Sequence, residues 1–213
     1  YNESRITDRP YTITLKVTSQ NYCSDVFTAA PVTIYHQPLA KLYVDPKSSC
    51  PPLIATMDNL GSRGYSMYRW EFGDGTTSPD IFSTVGETRS YTYPNTSINV
   101  TQNYWLKLYV ESNQGCWHMD STMLNVFPDV IADFNYDLAG CSPFVAGFTN
   151  NSTSPATQFY WDFKDGSNSN QEDVFHRFVN DTYIDKIFNV KLTATSDYNC
   201  WDTISKPVMV YAQ

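Results

Sequence analysis

The sequence predicts an all-β chain of antiparallel sandwiches arranged in tandem. Three observations lead there: apolar residues alternate with a period of two, tight-turn signals sit between the alternating runs, and the pattern repeats along the chain. In Tyr104–Glu111, Tyr104, Leu106, Leu108 and Val110 fall on one face and Trp105, Lys107 and Tyr109 on the other. A period of two is that of a half-buried strand. Asp74-Gly75 and Asp165-Gly166 each follow a Trp-x-Phe run, where Asp-Gly is a strong hairpin signal. With 16 Tyr and 12 Phe in 213 residues, composition leans the same way. No window carries a convincing helical period.

The repeat supplies the domain organisation. Trp70 and Trp161 lie 91 residues apart in matching contexts, YRWEFGDG and YWDFKDG, and Cys50-Pro-Pro-Leu-Ile-Ala and Cys141-Ser-Pro-Phe-Val-Ala are offset by the same 91. A third block occurs three times, as YTITLKVTS from Tyr11, YWLKLYVES from Tyr104 and FNVKLTATS from Phe188; four residues after each closing Ser comes Cys23, Cys116 or Cys200. Such recurrence defines the architecture before any single motif does. The expected divisions are residues 1–38, the tail of one repeat, then two full repeats at 39–128 and 129–213. The tail holds only closing strands, so its apolar face is expected to need the front half of its own sandwich. The joints at His36–Pro38 and Phe127–Asp129 lack Gly/Ser-rich stretches and are expected to be stiff. The first full repeat carries extra length around Thr92–Gln102, expected in an exposed loop.

Within the full repeats, Leu53, Ala55 and Met57 alternate after the first cysteine, as do Phe144, Ala146 and Phe148 after the second. Trp70 and Trp161 are the expected core indoles. Short alternating runs between turn signals read as a sandwich.

Charge and composition exclude several classes. Fourteen Lys+Arg against 22 Asp+Glu give a net charge of −8, which offers no electrostatic footprint for nucleic acid or an anionic membrane. No apolar run is long enough to span a bilayer. The opening YNESRITDRP has neither a basic nor an apolar leader region, and the chain reads as a piece of something longer.

Five cysteines is an odd count. The C-x2-C spacing of zinc and redox sites is absent, so one structural disulfide per full repeat is expected: Cys50–Cys116 and Cys141–Cys200, with Cys23 paired to a cysteine upstream. Loops of this length, once closed, stabilise by about 4 kcal/mol in the chain-entropy model. Disulfides place the protein in an oxidising, extracellular setting.

Trp-x-Phe-Gly-Asp-Gly after a Cys-x-Pro strand, followed by Tyr-x-φ-x-Leu-x-Val, resembles the PKD domain, an immunoglobulin-like sandwich. The residues that carry the resemblance are Trp70 to Gly75 and Trp161 to Gly166, with Ser90–Tyr93 and Phe175–Phe178 resembling the His-x-Tyr element of that family. Lys164 departs from the family glycine, which bears on the turn geometry. The paired Cys-x-Pro and Gly-Cys elements resemble, more narrowly, the tandem PKD-type repeats of Bacteroidetes surface proteins, which include gliding-motility adhesins exported by the type IX secretion system. The resemblance implies neighbouring PKD-type repeats as partners, together with surface polysaccharide or the secretion and motility machinery.

Chemistry-bearing constellations are sparse. Three histidines, His36, His118 and His176, are scattered, and no nucleophile elbow, P-loop or zinc helix occurs, so no enzymatic activity and no resident cofactor are expected. Calcium is the one metal considered. Asp74 and Asp165 at the turns and Asp129 and Asp133 at the second joint could supply hard oxygens, although an Asp before Gly ordinarily bonds its own turn. Trp105, on the outward face of its strand, is a candidate saccharide platform. Trp117 and Trp201, each following a cysteine, are expected to cover a disulfide or a neighbouring domain. N-x-S/T sequons begin at Asn2, Asn95, Asn99, Asn150, Asn151 and Asn180. In the Bacteroidetes setting, Asp followed by Ser or Thr and a methyl-bearing or apolar residue makes Ser121 and Thr203 O-glycosylation candidates.

The functional expectation is a stalk segment of a large secreted or surface-anchored adhesin for gliding or attachment, located outside the cell. An accessory module of a secreted hydrolase and a carbohydrate-binding module are the alternatives.

Overall fold

The computed structural model describes residues 7–213, and every regular element among them is a β-strand. The chain divides into two compact units. One comprises the described residues up to Lys47 together with Ile54–Tyr91 and Tyr104–Leu124; the other comprises Ser48–Leu53, Thr92–Asn103 and Asn125–Gln213.

The first described strands form a narrow ribbon. β1 (Arg9–Tyr11) pairs antiparallel with β4 (Val32–Ile34), and β2 (Thr14–Thr18) with β3 (Ser24–Thr28). Tyr11 stands opposite Val32 and Leu15 opposite Phe27. Strand alternation gathers Tyr11, Ile13, Leu15 and Val17 with these partners on one face, and all six are exposed. His36 fastens the ribbon's end within this unit. Its Nδ1 lies 2.7 Å from Asp8 Oδ1 and its Nε2 3.0 Å from the Gly64 carbonyl. Both partners are acceptors, so this geometry suits a ring that carries a proton on each nitrogen.

The first sandwich follows. Its strands are β5 (Tyr43–Asp45), β6 (Ser48–Ser49), β7 (Leu53–Asp58), β8 (Met67–Glu71), β9 (Thr88–Tyr93), β10 (Gln102–Glu111) and β11 (Trp117–Val126). They form sheets of order β5-β7-β9 and β6-β11-β10-β8. Ala55 and Met57 from the first sheet and Trp70, Leu106, Leu108 and Val110 from the second are fully buried. The Trp70 indole N–H donates to Glu87 Oε1 at 3.0 Å, meeting the requirement that a buried donor find an acceptor.

The second sandwich repeats this order with larger rings. Its strands are β12 (Phe134–Tyr136), β13 (Ala139–Cys141), β14 (Phe144–Asn150), β15 (Ala156–Asp162), β16 (Asn168–Ser169), β17 (Val174–Phe178), β18 (Lys186–Ser196) and β19 (Trp201–Tyr211). The sheets are β12-β14-β17 and β13-β19-β18-β15-β16. Trp161 sits between Phe134 and Phe148, with ring centroids 5.0 and 5.5 Å away, and Phe178 meets Phe188 at 4.8 Å. The outward-tilted geometries are those aromatic quadrupoles favour.

The turn at Lys164 keeps the form of its counterpart despite the change of residue. Gly73 has φ 86° and Lys164 φ 63°, and the closing bonds match: Phe72 N–H to Thr76 O, and Phe163 N–H to Ser167 O. Gly73 is required for a further reason, since a Cβ there would stand 2.5 Å from the Trp105 backbone nitrogen.

The segment Thr92–Gln102 is not a simple exposed loop. Asn95 within it is buried, and its Nδ2 donates to the carbonyls of Val126 at 2.9 Å and Phe127 at 3.0 Å. Asn180 does the same in the second sandwich, donating to Ile184 O and Val210 O. Two of the predicted sequons are therefore amide latches on the ends of β11 and β19.

Candidate functional site

The cysteines give the largest departure from sequence expectation. Cys50 is bonded to Cys200, 150 residues away, while Cys23, Cys116 and Cys141 are free thiols. The predicted pairs Cys50–Cys116 and Cys141–Cys200 are not formed, and strand length explains why. β6 runs parallel to β11 with Ser49 opposite Val126, so Cys50 lies by the far end of a ten-residue strand whose near end follows Cys116. At 3.2–3.4 Å per residue that is roughly 30 Å, against a disulfide Cα separation of about 4.4–6.8 Å. The second sandwich has the same design: Cys141 stands opposite Tyr211, while Cys200 precedes Trp201 at the other end of β19.

Cys200 is presented by a hairpin whose form occurs three times. Ser196 N–H donates to Cys200 O at 2.8 Å, and Asn199 N–H to Ser196 O at 2.9 Å. The corresponding bonds at Ser112–Cys116 are 2.9 and 3.0 Å, and at Ser19–Cys23 2.8 and 3.0 Å. Asn199, Gly115 and Tyr22, each just before the cysteine, all have positive φ, at 61°, 77° and 64°. This is the three-residue loop closed by a left-handed residue that antiparallel hairpins favour.

A small apolar cluster surrounds the disulfide. Val130, Ala132, Ala194 and Cys200 are buried, with Cys50, Phe127, Phe159 and Ile204 packed against them. Phe127 stacks on Tyr198 of the hairpin, ring centroids 4.3 Å apart. These side chains, rather than Trp201, cover the bond; Trp201 and Trp117 are both largely exposed, and Trp117 rests on Tyr109 at 5.8 Å. The Ala132 N–H donates to Asp202 Oδ2 at 2.9 Å. In the other unit, Ala40 N–H donates to His118 Nδ1 at 3.0 Å, so a histidine nitrogen takes the part of the carboxylate.

That other unit carries an open hollow lined by Tyr35, Gln37, Cys116, Trp117 and His118. Cys116 is half-buried in it.

Three of the four calcium candidates, Asp74, Asp165 and Asp133, are engaged by protein donors. Asp74 Oδ1 accepts from Thr76 N–H at 2.8 Å and Thr76 Oγ1 at 2.6 Å, and its Oδ2 accepts from the Tyr91 hydroxyl at 2.6 Å. Asp165 accepts from Ser167 N–H and Oγ, and faces His176 Nε2 at 2.7 Å. Burial alone would raise both carboxyls, but the side-chain hydrogen bonds prevail and hold Asp74 and Asp165 below the ordinary carboxylate value. Asp133 is held down by the Lys206 ammonium at 2.6 Å. Asp129 joins none of these in a cluster, and among the described residues no group of three or more His, Cys, Asp or Glu is placed to hold a metal ion.

The remaining candidates are placed as follows. Trp105 is exposed on β10. Ser121 is exposed and Thr203 half-buried. The aspartates of the two motifs have bonds of their own: Asp120 accepts from Leu42 N–H at 2.8 Å, and Asp202 from Ala132. Asn2 lies outside the described residues. The Asn latches were missed in the sequence although they recur at matched spacing, two residues after Tyr93 and Phe178. Among the described residues, no helix is long and apolar enough to cross a membrane.

No family model matches the chain, and no curated protein does. Among solved structures, it is similar to carbohydrate-binding modules of the β-sandwich superfamily, at 14% identity and TM-score 0.36 over 80% of this chain and 84% of that one. It is similar to fibronectin(III)-like modules of Clostridium thermocellum CbhA, at 10% identity and TM-score 0.37 over 81% and 94%. An amphioxus IgVJ-C2 molecule matches at 15% identity and TM-score 0.31 over 81% and 98%. Similarities at this level identify neither a ligand nor a partner.

Proposed function

We propose that the chain is a segment of the repetitive stalk of a large secreted or surface-anchored adhesin, with PKD-type repeats at 39–128 and 129–213 preceded by the end of another. The observation that carries this reading is the disulfide. On the sequence division at 39–128 and 129–213 the bond joins one repeat to the next rather than closing either on itself, and the Ser48–Leu53 segment that carries Cys50 belongs to the same compact unit as Cys200. A binding module has no need of such a tie; a spacer under tension does.

The mechanical consequence follows from covalent connectivity. Tension applied along the chain reaches Cys50, crosses the sulfur bridge and leaves from Cys200. The 150-residue span between the two is bypassed and need not unfold to carry load. The acidic composition keeps such a surface away from nucleic acid and anionic lipid. The PKD-type and Bacteroidetes resemblance of the Trp-x-Phe and Cys-x-Pro elements supports a place outside the cell, and a disulfide belongs to an oxidising compartment. Gliding or attachment, and contact with secretion or motility machinery, are the roles this assignment implies.

The test is the size of the native polypeptide, read on a denaturing gel with an antibody against residues 39–213. The stalk reading expects several hundred kDa. A band of about 60–120 kDa, with room for one catalytic domain and a few repeats, would replace it with the accessory-module reading. A saccharide-binding reading rests on exposed Trp105, and a glycan-binding signal abolished by Trp105→Ala would favour it.

A further inference from the structure

We propose that Cys116 and Cys141 are each one half of a further inter-repeat disulfide, so that successive repeats are joined by an unbroken series of bonds of the Cys50–Cys200 type. The hollow at Cys116 is the seat for the Cys-x-Pro segment of the preceding repeat, and Cys141 plugs the corresponding seat of the following one. The inference rests on the stalk reading above.

Two independent observations carry it. The hairpins are the first: Ser112–Cys116 has the same bonds and the same left-handed residue before its cysteine as Ser196–Cys200, which is bonded. The second is the hollow. Tyr35 precedes Ala40 by five residues, as Phe127 precedes Ala132. Ala40 N–H is latched by His118 as Ala132 N–H is latched by Asp202, and His118 and Asp202 each stand two residues after the hairpin cysteine. Tyr35, Cys116 and His118 therefore occupy the places of Phe127, Cys200 and Asp202. In the bonded site, Cys200 is bonded to Cys50, and Phe127 and Cys50 pack against the same buried cluster. In the other unit the matching residues line open space. Cys141 supplies the other half of the design. It is exposed, ends the short strand β13 as Cys50 follows β6, and stands two residues before a proline, Pro143, as Cys50 stands two before Pro52. A segment like Ser48–Leu53, with its cysteine at the same offset, is the occupant that this correspondence of Tyr35, Cys116 and His118 with Phe127, Cys200 and Asp202 points to.

Each bond forms by oxidation of two thiols. They give up two protons and two electrons to a disulfide-class oxidant, an oxidised dithiol or glutathione disulfide, which leaves as its two thiols. Successive bonds overlap, because the loop closed by one begins before the loop closed by the last has ended. No repeat can then be drawn out without stretching a neighbour.

The seat can be tested on this chain alone. A synthetic peptide of residues 137–144, its cysteine activated as the mixed disulfide with thionitrobenzoate, is added to the oxidised protein. The Cys116 thiolate attacks the peptide sulfur, the new S–S bond forms, and thionitrobenzoate departs with the electron pair of the old one. Peptide mapping is expected to find the label at Cys116 several-fold faster than at Cys23 or Cys141, although these two are more exposed. Equal rates, or rates that follow exposure, would overturn the seat. The series is tested by mapping disulfides in the native polypeptide after alkylation without reduction. Cys116 is expected in linkage with a Cys-x-Pro peptide of the preceding repeat, and Cys141 with a Ser-x-x-x-Cys peptide of the following one. Alkylated Cys116 and Cys141 in a polypeptide that does contain flanking repeats would overturn the inference and leave the stalk standing. A native polypeptide without flanking repeats would overturn both.

Discussion

The same nine-residue block meets two fates in this molecule. In the ribbon, Leu15 and Val17 are 58% and 59% exposed, whereas their counterparts Leu108 and Val110, and Leu192 and Ala194, are at 0%. The strand forms in all three places, with the same Ser-x-x-x-Cys hairpin at its end. Pairing is thus a local property of the hairpin and the alternating sequence. Burial is not local: it requires a facing sheet, β5-β7-β9 in the first sandwich and β12-β14-β17 in the second. The 1.5–3 kcal/mol or so that a buried aliphatic side chain contributes is available only where that sheet exists.

The comparison can be broken most forcefully at the disulfide. A loop of 150 residues corresponds to about 5 kcal/mol in the chain-entropy model. Cys50→Ser is expected to lower the stability of the second sandwich by an amount of that order while leaving the hairpin β2–β3 unchanged, as read by denaturant melting and by amide exchange. Next in size is a core truncation. Leu192→Ala should cost about 2–5 kcal/mol, and Leu15→Ala, its counterpart on the ribbon, within about 0.5 kcal/mol of nothing. Equal losses at the two positions would mean that the ribbon is as tightly packed as the sandwiches. Asn180→Ala removes the donor that satisfies Ile184 O and Val210 O and should cost about 1–3 kcal/mol, with exchange rising first at the end of β19.

The smallest expected effect is electrostatic and belongs to the ribbon. The hydrogen bond to Asp8, then that to the Gly64 carbonyl, raise His36 above its ordinary 6.5. Its stabilisation is therefore complete below that value and is lost as pH rises through the higher folded value. Asp8 is lowered from 3.8 by the His36 backbone N–H and then its ring, so its share is present above 3.8 and lost as pH falls through the lower folded value. Protection of the β1–β4 amides should be greatest between these limits. A His36 midpoint at or below 6.5 by NMR titration would contradict the pairing.

How much of this was legible in the sequence differs by kind of feature. Strands were legible because Leu106, Leu108 and Val110, or Phe188, Val190 and Leu192, carry their face in their spacing. The core tryptophans were legible from their repeated context. Disulfide partners were not, because Cys50 and Cys116 look like natural mates along the chain, and only the ten-residue length of β11 and the parallel placement of β6 beside its far end separate them. Asn95 and Asn180 read as sequons because N-x-S/T is a stronger one-dimensional pattern than a buried amide, whose acceptors on Val126, Phe127 and Val210 lie 30 or more residues away. At Lys164 the sequence raised a doubt about the turn that the backbone answers with an ordinary left-handed residue. Asp74 and Asp165 read as turn residues from Asp-Gly alone, whereas their partners Tyr91 and His176 come from strands that no local motif connects to them.

Whether Cys50–Cys200 takes load past the intervening chain can be read by single-molecule extension of the 213-residue protein between its termini. At up to about 3.3–3.6 Å per residue, a bypassed span of 150 residues should hide roughly 500 Å of contour length in the oxidised protein, released when a reductant is added. Full unfolding to the same length with and without reductant would contradict the account.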